Sequence, residues 1–299
     1  MPRGADFAFY PHPSLGALAD AGVGFVGRYV SSYGPNDANG KNLVPAEAAA
    51  YQHAGMPVIL YAEEGAEDML GGRSRGVARA QHFAAVASAL GMGPAVMFCC
   101  ADWDVAPGQQ PMVDAYLDGA ASVVGRDRTG IYGSYYVVRR ALDGGKARWA
   151  VQTCAWSGCP ASYDPPPGAV KVRVADGSWR LFDKRALVRQ YLTVRIGGAS
   201  CDQLWAAPGD YGQWPRPGGG GELDAYRHED DLPRDQTLWG WCTARGTDVG
   251  SVAEFSRDFL NAENERILDA YLEVCGALHD AGHDRLPMPA GLVIWTRNP

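Results

Sequence analysis

Short apolar runs alternate with amphipathic stretches from Ala5 to about Trp214, and this alternation limits the fold more than any other feature of the chain. Apolar runs of strand length, separated by helical patterns, are the mark of βα units around a parallel sheet. Eight candidate strands can be counted: ADFAF near residue 5, VGFVGRYV near 23, MPVILYAE near 56, PAVMFCCADWD near 94, TGIYG near 129, WAVQTCAW near 149, LVRQYL near 187 and GGASCDQLW near 197. Helical patterns occupy 14–21, 45–54, 75–90, 109–124 and 134–143. Pro45 stands at a first helical position, and Pro107 lies just ahead of an apolar-periodic run. Eight such units in ~210 residues predict a compact α/β fold, a (β/α)8 TIM-like barrel, with an open doubly wound sheet as the alternative. No GxGxxG opens a helix after a strand and no GxxxxGK[ST] occurs, so a nucleotide site has no support.

Two stretches break the alternation. Residues 158–184 are rich in Pro and Gly and read as a long inserted loop or small hairpin. After Trp214 the run PRPGGGGE has the composition of a flexible connector. The expected organisation is a barrel over 1–215, a Gly-rich linker over 216–222 and a helical segment over 223–299. In that last segment Ser251 and Glu254 have capping-box spacing, and Val252, Phe255, Phe259, Leu260, Ile267, Tyr271, Val274 and Leu278 recur at steps of three and four. One long amphipathic helix follows, whose apolar stripe must lie on the barrel wall or on another chain. Its expected role is attachment or assembly.

Charge and cysteines exclude several classes of function. The net charge is -7, the pI about 5.4, and Lys and Arg are scattered, which argues against nucleic acid or an anionic membrane as partner. No apolar run reaches the ~18 to 20 residues of a membrane helix, and the N-terminus lacks a basic-then-apolar leader pattern. The chain is therefore expected to be made in a cytoplasm without a signal peptide. Seven cysteines in no zinc-binding spacing point to neither a disulfide scaffold nor a metal, and Cys99, Cys100 and Cys201 read as buried thiols.

In a barrel the functional face lies at the C-terminal ends of the strands. The polar residues there are mostly acids: Asp6 in the first strand, Glu63 closing the third, Asp102 and Asp104 closing the fourth, and Asp202 in the eighth. Arg28, Tyr132, Gln152, Trp156 and Gln190 hold the corresponding positions of the second, fifth, sixth and seventh. Asp102 and Asp104 alternate along a strand, so both would leave one face with Cα atoms about 6 to 7 Å apart. Carboxylates that close raise one pKa, the arrangement that supplies a neutral acid beside a charged base. Asp104 or Glu63 is the expected holder of that raised pKa. Each acid also has a plainer alternative. The DWD run reads equally as a solvated turn, Asp6 as a turn cap, Glu63 and Glu64 as a loop edge, and Asp202 as a partner of Arg189 or Arg28. Five acids on four strand ends weigh towards a site, because burying uncompensated carboxylates in one mouth is costly. Trp103, Trp149, Trp156 and Trp205 offer flat faces for sugar rings, or core packing.

Four runs carry a resemblance: GADFAFYPHPSLGALADAGVGFVGRYVS, ILYAEEGAEDMLGGRSRG, CCADWDVAPGQQPMVDAYLDGAASVVGRDRTGIYGSYYVVRRAL and LVRQYLTVRIGGASCDQLWAAPGDYGQW. Together they resemble the glycoside-hydrolase-like domain family of unknown function, found in actinobacterial proteins and phage lysins. That family is distantly similar to glycoside hydrolase family 25, the barrel-fold muramidases that cut peptidoglycan glycan. The likeness covers residues 4–214. By this resemblance Asp6 matches the Asp of the first strand, Asp102 the first acid of the Asp-x-Glu motif and Asp202 the Asp of the last strand. Asp104 stands where family 25 has its catalytic Glu, one methylene longer. Glu63 matches a Glu of the glycoside-hydrolase-like family itself.

The expected function is a phage-type peptidoglycan hydrolase with Asp104 or Glu63 as general acid and Asp102 as base or stabiliser. Asp6, Asp202, Arg28, Tyr132, Gln152, Trp156 and Gln190 would hold the sugar, with no metal or organic cofactor. Partners would be the peptidoglycan glycan strand and, through 223–299, other phage tail or virion proteins. The chain would act at the cell wall, carried on the virion tail or released at lysis. The rival is a catalytically silent barrel that binds glycan or serves as a tail-tip component, a reading that the Asp at 104 favours.

Overall fold

The computed structural model describes residues 2–31 and 40–216. The expected linker beyond Arg216 and the helical segment over 223–299 lie outside the described residues. In chain order the elements begin with β1 (Arg3–Asp6), α1 (Leu15–Asp20), β2 (Phe25–Val30), α2 (Pro45–His53), β3 (Val58–Ala62), α3 (Gly72–Ala89), β4 (Met97–Cys100) and α4 (Gln110–Val124). Then come β5 (Thr129–Gly133), α5 (Tyr135–Asp143), β6 (Trp149–Thr153), β7 (Gly158–Cys159), β8 (Ala169–Arg173), β9 (Trp179–Asp183), β10 (Val188–Ile196) and β11 (Ala199–Ala206). Local chemistry sets several boundaries. The Ser14 hydroxyl accepts from the Ala17 amide to open α1, and Pro45 occupies the first turn of α2, where a missing N–H costs nothing.

Eight strands close into a barrel in the order β1-β11-β10-β6-β5-β4-β3-β2. The expected barrel stands, and all eight of its strands were visible as apolar runs. Side chains alternate between two cores. Phe25, Ile59, Tyr61, Phe98, Trp149, Val151 and Leu204 fill the barrel, while Val26, Leu60, Met97 and Ala150 face the helices. Burying both faces of the parallel strands explains their nearly unbroken apolar sequences.

Two features depart from a uniform βα repeat. The last strand runs backwards: β11 is antiparallel to both β10 and β1. Gly197 and Gly198 join β10 to β11 with φ of 56° and 85°, the left-handed pair that a tight hairpin turn needs. The insertion is a three-stranded antiparallel sheet, β7-β9-β8, rather than a single hairpin. Below the barrel, residues 207–216 cross its floor: Tyr211 packs on Phe25, and Trp214 exchanges both backbone hydrogen bonds with Val58 at the start of β3.

Candidate functional site

At the C-terminal mouth the acids converge, and the direction of β11 explains how. Asp6, the last residue of β1, is the direct cross-strand partner of Asp202 on antiparallel β11. Asp202 reaches the mouth because β11 starts there, not because it ends there. One side-chain amide serves both carboxylates: Gln190 Nε2 donates to Asp6 Oδ2 at 3.0 Å and to Asp202 Oδ2 at 3.2 Å. Gln190 Oε1 accepts from the Tyr132 hydroxyl at 2.7 Å, which fixes the amide orientation. Tyr29 donates to Asp6 Oδ1 at 3.3 Å and Thr193 to Asp202 Oδ1 at 2.7 Å.

Glu63 follows β3 and is ion-paired with Lys41 at 2.8 Å, the Lys41 ammonium also lying 5.3 Å from the centre of the Tyr29 ring. Asp102 is half-buried two residues past β4. Burial first, then the Glu63 charge, raises its carboxyl pKa, and Lys41 offsets only part of this. Burial and then Asp202 push Asp6 well above the usual carboxylate range, and burial raises Asp202 as well. The raised acids are thus Asp6, Asp102 and Asp202, whereas the sequence had pointed to Asp104 or Glu63 as the holder.

Several expected site residues stand elsewhere. Asp104 is exposed, because strand pairing stops at Cys100 and with it the alternation that would have turned Asp104 inward. Arg28 is fully buried on the outward face of β2. Its guanidinium pairs with Glu47 of α2 at 2.8 Å and donates to the carbonyls of Phe7, Gly40, Lys41 and Asn42, so it ties two loops together rather than facing sugar or Asp202. Gln152 also points out of the barrel, donating to the Leu181 carbonyl at 2.7 Å and accepting from the Asp183 amide at 2.8 Å. It anchors the inserted sheet. Trp156 is 41% exposed on the loop after β6 with φ of 51°, a conformation unfavourable for a residue with a side chain. Trp149 lies at the barrel floor and Trp103 is buried against Gln109, so neither offers a free face.

Three mouth residues went unread in the sequence. Tyr29 and Tyr61 occupy inward positions of β2 and β3, two residues past inward-facing Gly27 and buried Ile59 respectively, in the same period-two pattern that revealed the strands. Lys41 lies in a loop with no such pattern. Among the described residues no group of three or more His, Cys, Asp or Glu is arranged to hold a metal ion, and no helix is long and apolar enough to cross a membrane.

Comparison with known proteins agrees with this architecture. No curated protein matches the chain. Crystal structures of the Tat-secreted protein Rv2525c of Mycobacterium tuberculosis, one in complex with L-tartrate and one with HEPES, are 24% and 23% identical to it. Each match covers 71% of this chain and 98% of that one, with a TM-score of 0.58, a likeness of fold. The Clostridium perfringens spore cortex lytic enzyme SleM is 16% identical over 69% of this chain and 67% of its own, with a TM-score of 0.43. The family model of the Rv2525c-like, glycoside hydrolase-like domain matches residues 16–203. That match spans more than half of the sequence, and the chain belongs to the Rv2525c-like family of glycoside hydrolase-like domains.

Proposed function

We propose that this protein cleaves the glycan strand of peptidoglycan by acid/base chemistry at the barrel mouth. Asp102 is the general acid, and Glu63, with Lys41 against it, is the partner base or electrostatic stabiliser. Asp6, Asp202, Gln190 and Tyr132 hold the sugar, and Trp156 lends a stacking face at the rim. The observation that carries this reading is the unequal setting of two carboxyls in one mouth: Asp102 is pushed towards its neutral form by burial and by Glu63, while Glu63 has a cation at 2.8 Å. Two acids in such unequal surroundings can divide the roles of proton donor and charged partner. The donor protonates the glycosidic oxygen, and the remaining carboxylate faces an oxocarbenium-like transition state. The proposed place of action is the cell wall of a phage host. There residues 223–299 serve as an attachment segment for a tail or virion partner, and delivery is on the virion or at lysis.

One observation favours a second reading, a barrel that binds wall glycan without cutting it: exposed Asp104 occupies the position that family 25 gives to its acid. Reducing-end release from purified peptidoglycan separates the two. Asp102→Asn and Glu63→Gln are each expected to lower release about 10²- to 10⁴-fold, the usual worth of a positioned acid or base, with Asp104→Asn close to wild type. Loss in Asp104→Asn with activity intact in Asp102→Asn would reverse the assignment, and binding without any release would select the silent barrel.

A further inference from the structure

Tyr61 carries a hydroxyl with no hydrogen-bond partner although the residue is only 1% exposed. A buried phenol left unpaired is unfavourable, so natural folds seldom keep one without a use. Its surroundings say where that use lies. The ring packs 5.1 Å from that of Tyr29 and 5.6 Å from that of Tyr132, centre to centre, and the hydroxyls of those two are already taken by Asp6 and Gln190. Gly27 permits the approach. A Cβ at that position would come within 2.7 Å of both Asp6 Cβ and Tyr61 Cε2, so the tyrosine crosses β2 beside the Asp6 carboxylate. Burial first, then the charge of Asp6, keeps the phenol protonated and therefore a donor.

Beside this idle donor lie acceptors with spare capacity. Each of the four carboxylate oxygens of Asp6 and Asp202 accepts one hydrogen bond, from Tyr29, Gln190 or Thr193, and each has a second lone pair. A group that fits must accept from Tyr61 and donate to a carboxylate at the same time. A sugar hydroxyl does both. An ammonium has no lone pair to accept with, and an ionised phosphate or carboxylate has no hydrogen to donate onward to Asp6 or Asp202. We propose that Tyr61 is a ligand-contacting residue at the floor of the mouth, its hydroxyl donating to a sugar-ring hydroxyl that in turn donates to Asp6 or Asp202. This assignment rests on the glycan-acting reading and adds to it the residue that selects a hydroxylated ring.

Tyr61→Phe removes the oxygen and nothing else, so stability and binding should move independently. The full chain, its Tyr61→Phe and its Asp102→Asn variants are melted and then titrated with soluble, uncrosslinked peptidoglycan glycan strands, with reducing-end release read in the same samples. Tyr61→Phe is expected to melt at the wild-type temperature or above it while binding roughly three- to tenfold more weakly, the loss of one hydrogen bond. A lower melting temperature would mean that the hydroxyl serves the fold, and undiminished binding that it never meets the ligand; either overturns the proposal. Failure of wild type to bind the strands overturns both this inference and the function it rests on. Wild-type release by Asp102→Asn sinks only the acid assignment, since the binding comparison still decides the role of Tyr61.

Discussion

Asp6 and Asp202 sit opposite each other on paired strands and share a single amide donor, and their burial shapes the pH response of the folded state. Both carboxyls, with Asp102, have folded pKa values above their unfolded ones. Such groups stabilise the fold fully below the unfolded pKa, and the contribution disappears as pH rises through the folded value. Glu47 works in the opposite sense. Burial alone would raise its pKa, but hydrogen bonds and charge from His12 and Arg28 hold it at about 2. Its contribution is present above the unfolded value and fades as pH falls through it towards about 2. Stability should therefore rise on acidification from neutral pH, pass a maximum at roughly pH 4 to 5, near the unfolded carboxyl values, and then fall. Asp6→Asn should melt higher than wild type at pH 7 and lose much of that slope, as removal of a crowded site acid often does. Thermal melts across pH 3–8 test this, and a wild-type profile rising steadily towards pH 8 would contradict it. Most of these residues were legible because an acid at a strand end is conspicuous. Asp104 misled because alternation was extended past the last paired residue of β4, where the backbone no longer enforces it.

At the scale of elements, the inserted sheet packs Phe182 against Tyr191 and Leu192 of β10, and one barrel side chain, Gln152, supplies its polar anchor. Gln152 satisfies a buried carbonyl and a buried amide of β9 at once, at Leu181 and Asp183. Gln152→Ala leaves both without a partner, and the expected cost is about 2 to 5 kcal/mol in denaturant unfolding, from two orphaned polar groups. A loss under about 1 kcal/mol would mean that water or other contacts hold the insertion. The eight barrel strands were readable because each is a buried apolar run between helical patterns. The reversal of β11 was readable too, in the Gly-Gly pair between TVRI and ASCDQLW, a hairpin signal that the expectation of uniform βα units overrode. The three strands of the insertion were hidden: β7 is two residues long and β8 carries Lys171 and Arg173 among its valines, so neither offers an apolar run.

For the whole molecule, every strand of the closed ring lies within the described residues up to Arg216. The strand ring, the two cores and the floor segment with Tyr211 and Trp214 are all contained in residues 2–216. A chain ended after Arg216 is expected to melt within a few degrees of the full protein and to bind the same glycan; an unfolded product would make 217–299 part of the barrel core. The backward run of β11 has one more effect. It returns the chain to the side where β1 began, so that the Ala206 amide donates to the Pro2 carbonyl at 3.0 Å, and Arg216 lies beneath, over Trp149. Residues 2 and 216 both emerge from the underside, so a bead, dye or sensor chip coupled at either point would leave the acidic opening facing outward like the lens of a mounted camera.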